Sequence, residues 1–133
     1  MASVGQIEKL YASYKDKAHF YVVYIREAHP DNSNRAIPSN KFHVEDPKTL
    51  EERRKVAHEF ATALKVSLPL LVDTIDDQVR NAYQAGPDRL YVIDGKGKFA
   101  LVGGKGPKGF RPAVTGAPAV LDKLLAESKL PND

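Results

Sequence analysis

At 133 residues the chain is one domain's worth of sequence, and an apolar fraction of 42% is that of a globular core rather than a disordered segment. It holds no cysteine, which excludes disulfides, thiolate catalysis and thiolate metal sites from these residues, and no apolar run approaches the ~20 residues a membrane helix needs. The net charge is +3, and the basic excess is concentrated at Lys96, Lys98, Lys105, Lys108 and Arg111, which without a motif or interleaved aromatics read as solvated surface and not as a nucleic-acid interface.

The opening Met1-Ala-Ser-Val-Gly-Gln shows neither a basic stretch nor a hydrophobic stretch of a signal peptide, so the expected location is cytoplasmic. Residues 3–16 predict a helix, with Ser3 as a cap and Ile7, Leu10, Tyr11 and Tyr14 at three- and four-residue spacing. Phe20-Tyr-Val-Val-Tyr-Ile25 has no turn residue and consists of β-branched and aromatic members, which predicts a strand over about 20–26 covered on both faces. Charge begins at its end with Arg26, Glu27 and His29. Ligands of open α/β sheets sit outside the carboxyl ends of strands, so these residues stand either at a site or at the start of a solvated loop.

Residues 29–47 hold three prolines, three asparagines and two serines and read as a long loop. A helix follows, opened by Asp46-Pro47 or by a Thr49–Glu52 capping box, with Leu50, Val56, Ala57, Phe60, Ala61 and Leu64 as its apolar stripe. Leu68–Val72 predicts a short buried strand. Asp76, Asp77 or Thr74 then opens a helix through Val79, Ala82 and Tyr83, closed by Gly86. Leu90–Ile93 and Phe99–Val102 flank Asp94-Gly-Lys-Gly97 and predict a β-hairpin. Gly103–Gly109 reads as a loop. It lacks the closing Lys-Ser/Thr of a phosphate-binding loop. Ala119–Ser128 predicts a closing amphipathic helix.

The fold class is therefore α/β, and the ending of helix, hairpin and helix matches the second half of a thioredoxin-like sheet flanked by helices. The strand that opens that fold is missing from the predicted order. Two compensations are expected: the strand at 20–26 pairs directly with the hairpin, or a second copy covers the gap as a homodimer.

Four motifs in order carry a resemblance: Tyr24-Ile-Arg-Glu-Ala-His-Pro30, Leu50-Glu-Glu-Arg53, Ala85-Gly-Pro-Asp-Arg-Leu-Tyr-Val-Ile93 and Gly103-Gly-Lys-Gly-Pro-Lys-Gly-Phe110. Together they resemble the iodothyronine deiodinase family, bacterial thioredoxin-like members included, from about residue 7 to residue 125. The resemblance implies a single thioredoxin-like domain over 1–133 with 29–47 as an inserted loop. It also implies reductive removal of iodide from an iodothyronine or related aromatic by a selenocysteine or cysteine, with a thiol reductant and no cofactor.

That nucleophile, usually followed by Pro-Pro-Phe, is expected a few residues before Met1. Three explanations stay open: a start read at an internal methionine after a selenocysteine codon was taken as a stop, a truncation, or a natural variant without redox chemistry. As given, the chain is expected to be inactive. Two alternatives accompany the deiodinase-like oxidoreductase reading: a non-catalytic thioredoxin-fold binding module, and a general thiol or peroxide reductase when full length.

Carried over by motif, Tyr24, Glu27 and His29 would surround the substrate as catalytic residues. A histidine near neutrality suits protonation of the carbon that loses iodide, the alternative being a loop histidine. Arg26, Pro87 and Arg89 are the substrate-binding candidates. Pro87 precedes the strand that lines the site in thioredoxin-like folds. Arg89 either binds an anionic carboxylate or pairs with Asp88 or Asp94. The chain departs from the family at Lys108, where vertebrate members commonly have tryptophan, and at Asp46–Pro47, where their loop histidine has no exact partner and His43 is nearby. His19, His29, His43 and His58 are too scattered to predict a metal site.

Overall fold

The computed structural model describes residues 2–26 and 47–128. The chain divides into two compact units, one formed by Met1–His19 with Asp88–Asp133 and the other by Phe20–Pro87. The loop expected at 29–47 lies, apart from Pro47, outside the described residues. Both units pack helices on a small two-stranded sheet, a mixed α/β architecture compatible with a thioredoxin-like fold.

In the unit Phe20–Pro87, β1 (Val22–Tyr24) and β2 (Leu70–Val72) run parallel, with Val22 opposite Leu70, Val23 opposite Leu71 and Tyr24 opposite Val72. The strand expected over 20–26 is three residues long, and its covering is uneven. Tyr24 is buried, whereas Tyr21 and Leu71 are 60% and 49% exposed. Helix α2 (Leu50–Ala63) packs on β2. Thr49 is its N-cap. The Thr49 hydroxyl accepts from the Glu52 amide at 3.2 Å, and the Glu52 carboxylate accepts from the Lys48 amide at 2.7 Å, one residue earlier than in a regular capping box. Ala57 is fully buried, and the Phe60 ring lies 5.3 Å from that of Tyr24 at 57°. Such tilted aromatic pairs contribute roughly 0.5–1.5 kcal/mol beyond their burial.

Helix α3 (Gln78–Tyr83) is shorter than predicted at its end. It closes at Gln84, in a left-handed conformation with φ 50°, rather than at Gly86. The Ala85 amide returns to the Arg80 carbonyl at 2.9 Å, so the turn is complete before the glycine is reached.

In the other unit, α1 (Ala2–Tyr14) packs against α4 (Phe110–Ser128), and α4 packs against the antiparallel hairpin of β3 (Tyr91–Ile93) and β4 (Phe99–Val102). Leu10 and Tyr14 from α1 are buried, as are Ala113, Val114, Ala117 and Leu121 from α4. The Tyr14 hydroxyl donates to the Asp122 carboxylate at 2.7 Å, and this bond holds the phenol above its ordinary pKa.

Helix α4 starts at Phe110, nine positions before the expected Ala119. Pro112 and Pro118 both lie within it. Pro112 falls in the first turn, where a backbone donor has no helical partner. Pro118 removes one internal bond, and the buried stripe from Ala113 to Leu121 outweighs that loss. Gly103 lets the hairpin approach this stripe closely. A Cβ there would lie 2.6 Å from that of Ala113 and 2.8 Å from the Leu90 carbonyl oxygen.

Candidate functional site

Parallel pairing brings the carboxyl ends of β1 and β2 to one level. The Asp73 amide donates to the Tyr24 carbonyl at 2.9 Å, and past that bond Ile25–Arg26 and Asp73–Asp77 leave the sheet from the same edge. Charged side chains meet there.

Asp73 is 1% exposed, and its carboxylate is filled by backbone donors. Oδ1 accepts from the amides of Thr74 at 2.8 Å and Val79 at 2.9 Å, and Oδ2 accepts from Arg80 at 2.9 Å. Val79 and Arg80 are in the first turn of α3, so Asp73 caps that helix from the end of the strand before it. Thr74 adds its hydroxyl to the Gln78 amide at 3.1 Å. Asp77, a predicted cap, makes no side-chain capping bond. Its backbone is left-handed at φ 61°, and its carboxylate faces away to other partners.

Those partners are guanidinium groups. Arg53, on α2, is 2% exposed. Its Nη2 lies 3.0 Å from Asp77 Oδ1, and its Nη1 donates to the Thr74 carbonyl. The contact with Asp77 is ionic rather than an aligned hydrogen bond, and Arg53 Nε is buried with no hydrogen-bond partner. Arg26, 53% exposed, brings Nη1 to 3.9 Å from Asp77 Oδ2. One carboxylate therefore stands between a buried and a half-exposed guanidinium.

Of the predicted site residues, Tyr24 and Arg26 are placed at this edge. Tyr24 is 7% exposed with its ring against Phe60. Glu27 and His29 lie outside the described residues. Pro87 follows Gly86 through a cis peptide bond. Arg89 belongs to the other unit. Its Nε donates to the Gly103 carbonyl at 2.6 Å, and its guanidinium lies 5.5 Å above the Tyr91 ring. Asp94, one of its suggested partners, instead accepts from the Lys96 and Lys98 amides at 2.9 Å each, and these bonds lower its pKa.

Sequence reasoning does not single out Arg53 or Asp73 as site residues, and it names Asp88, which belongs to the other unit, only as a partner for Arg89. For Arg53 a signal exists, since it interrupts the apolar stripe between Leu50 and Ala57. Asp88 Oδ1 is buried without a hydrogen-bond partner and presses on Gly106, where a Cβ would stand 1.4 Å from it. The Gly106 amide donates to the Asp88 carbonyl at 2.9 Å.

Burial pushes the Asp88 carboxyl above the ordinary carboxylate pKa. A raised folded-state pKa means that the penalty is absent below the unfolded value and develops as pH rises through the folded one. Asp88→Asn is accordingly expected to stabilise the protein by about 0.5 kcal/mol at pH 7, a figure discounted for partial exposure, and to have no effect near pH 3. Thermal melts of both proteins at the two pH values check this; an equal shift at both contradicts the charge argument.

Helices on small sheets make a mixed α/β architecture compatible with a thioredoxin-like fold, and charged residues gather at the carboxyl ends of its parallel pair. The family model of iodothyronine deiodinases matches residues 1–124, and the chain belongs to that family. It is 35% identical over 112 residues to thyroxine 5-deiodinase of Gallus gallus, covering 84% of this chain and 42% of that protein. Type I iodothyronine deiodinase of Xenopus laevis is 29% identical over 109 residues, covering 82% of this chain and 42% of that protein. Type II iodothyronine deiodinase of Neoceratodus forsteri is 32% identical over 111 residues, covering 80% and 41%. The chain thus spans about two fifths of the length of these relatives. Among the described residues, no helix is long and apolar enough to cross a membrane.

Proposed function

We propose that these residues form one thioredoxin-like domain, with 29–47 as an inserted loop, of an oxidoreductase that removes iodide reductively from an iodothyronine. The observation that carries this reading is the family match over residues 1–124. In the reaction, a selenolate or thiolate takes iodine from the ring as a selenenyl or sulfenyl iodide. The ring carbon takes a proton. Two equivalents of a thiol reductant then regenerate the nucleophile as iodide leaves and a disulfide forms. With no cysteine among the 133 residues, the attacking atom comes from outside them. In this reading His29 supplies the proton, Tyr24 and Glu27 hold the reacting ring, and Arg26, Arg89 and Pro87 line the substrate.

The lack of a cysteine favours one second reading, a binding module that retains iodothyronine without transforming it. The native protein, isolated from its source, separates the two. Its intact mass, selenium and thiol content, and iodide release from thyroxine with dithiothreitol are measured together. A mass above that of Met1–Asp133 with iodide release is the expected result. Thyroxine binding without release, at a mass equal to Met1–Asp133, supports the module. Neither binding nor release overturns both.

A further inference from the structure

Asp88, just ahead of β3, is partly buried, and its Oδ1 is shut away from water with no hydrogen-bond partner. The loop Gly103–Gly109 lies against it. A Cβ on Gly106 has no room beside that oxygen, so the carboxyl rests directly on the Gly106 backbone. The Gly106 amide donates to the Asp88 carbonyl at 2.9 Å and ties the middle of the loop to the same residue. Asp88 thus holds the loop by its backbone and presents to it a side-chain oxygen that the loop leaves unsatisfied.

The loop closes on itself. Its ends approach so nearly that a Cβ on Gly109 has no room beside the Gly104 backbone, and the Gly109 amide returns to the Lys105 carbonyl at 2.9 Å. At its base the Gly103 amide donates to the Leu90 carbonyl at 2.9 Å, and Arg89 Nε donates to the Gly103 carbonyl at 2.6 Å. Lys105 and Lys108 are exposed. Among the described residues no cation, Lys105, Lys108 and Arg89 included, forms an ion pair with Asp88. Burial disfavours its charged form, and the charge of the amino terminus opposes this only in part.

We propose that Gly103–Gly109 is a strap that closes over Asp88 and loosens when the Asp88 carboxyl carries its charge. Under the closed strap a protonated carboxyl is neutral, whereas an ionised one sets a charge against backbone that offers it no donor. The open strap returns that oxygen to water. The closed form therefore holds the proton more tightly than the open form. Closure is strongest below the ordinary carboxylate range and weakens as pH rises through the closed-state pKa. The inference is independent of the iodothyronine reading.

The test reads amide hydrogen exchange of the full 133-residue chain at pH 3 and pH 7 with millisecond labelling, each rate compared with the intrinsic rate at that pH. The Gly106 and Gly109 amides report the strap, and Leu121, buried in α4, reports global opening. Strap protection is expected to be roughly two- to threefold greater at pH 3 than at pH 7, with no matching gain at Leu121. Asp88→Asn is expected to give the greater protection at both pH values. Asp88→Ala, which also removes the charge, is its companion should the amide disturb folding, and it too is expected to abolish the pH dependence. Gly106→Ala places a Cβ against the carboxyl and is expected to lose strap protection at both pH values.

Equal strap protection at the two pH values in the unaltered chain overturns the proposal. So does a pH dependence that survives, in a folded protein, either change at Asp88, because the charge of that carboxyl is then not its cause. A gain at Leu121 as large as that at Gly106 overturns it as well, since the whole unit and not the strap would be responding. Full strap protection in Gly106→Ala shows that the loop does not close on Asp88 and has the same consequence.

Discussion

Replacing Asp73 with alanine is expected to destabilise the protein by about 3 kcal/mol or more, a large share of the stability of a domain this size. Three amides lose their acceptor at once, those of Thr74, Val79 and Arg80. Two of them open α3, a helix of six residues that cannot persist on propensity alone. Water cannot readily replace the carboxylate, since the side chain is 1% exposed. Asp73→Asn keeps one accepting oxygen and should cost roughly half as much. Urea unfolding of the three proteins measures this, and a loss under about 1 kcal/mol for alanine would show that the amides find other acceptors.

Arg53→Met is the second large effect, at about 3 kcal/mol. Methionine fills much of the space of the arginine stem, so the loss is chiefly electrostatic. Asp77, with 14% of its side chain exposed, keeps only the distant Arg26, and the Thr74 carbonyl loses a donor. Removing one member of a buried pair leaves the other charge uncompensated, which is why the cost exceeds the net value of the pair. The double change Arg53→Met with Asp77→Asn should therefore recover about 1–2 kcal/mol relative to the sum of the single changes. Additive losses in that cycle would mean that the two side chains act independently. The Arg26–Asp77 contact, far more exposed, contributes little to stability by itself.

These two side chains also mark where sequence reading stops. The apolar run at Phe20–Ile25 suffices to place Tyr24 and Arg26 at the end of a strand, because side-chain alternation and the onset of charge are local properties. The Asp94 turn and the strands beside it are legible for the same reason. The burial of Arg53 is not local. It depends on Thr74 and Asp77, more than twenty positions away, and a charge in an apolar stripe has no value until its partner is located. Asp73 was hidden by competition, since Thr74, Asp76 and Asp77 were equally plausible caps. Only the geometry of the chain leaving β2 selects among them. The expected start of α4 at Ala119 is nine residues late, because burial of one face carries the helix through Pro112 and Pro118 against local preference. Family membership was legible because four motifs occur in order, which no single one would have established.

The bond from Tyr14 to Asp122 spans 108 positions and joins the first helix to the last. The unit that contains it is assembled from both ends of the sequence, whereas Phe20–Pro87 is continuous. During synthesis, the continuous unit has all of its residues available while the other still waits for α4. The closing step then requires a long loop to be shut, which is slow in proportion to the separation of the contacts it makes. Until α4 emerges, Leu10 and Tyr14 lack the surface that buries them, so this is the interval in which the nascent chain is most exposed to aggregation.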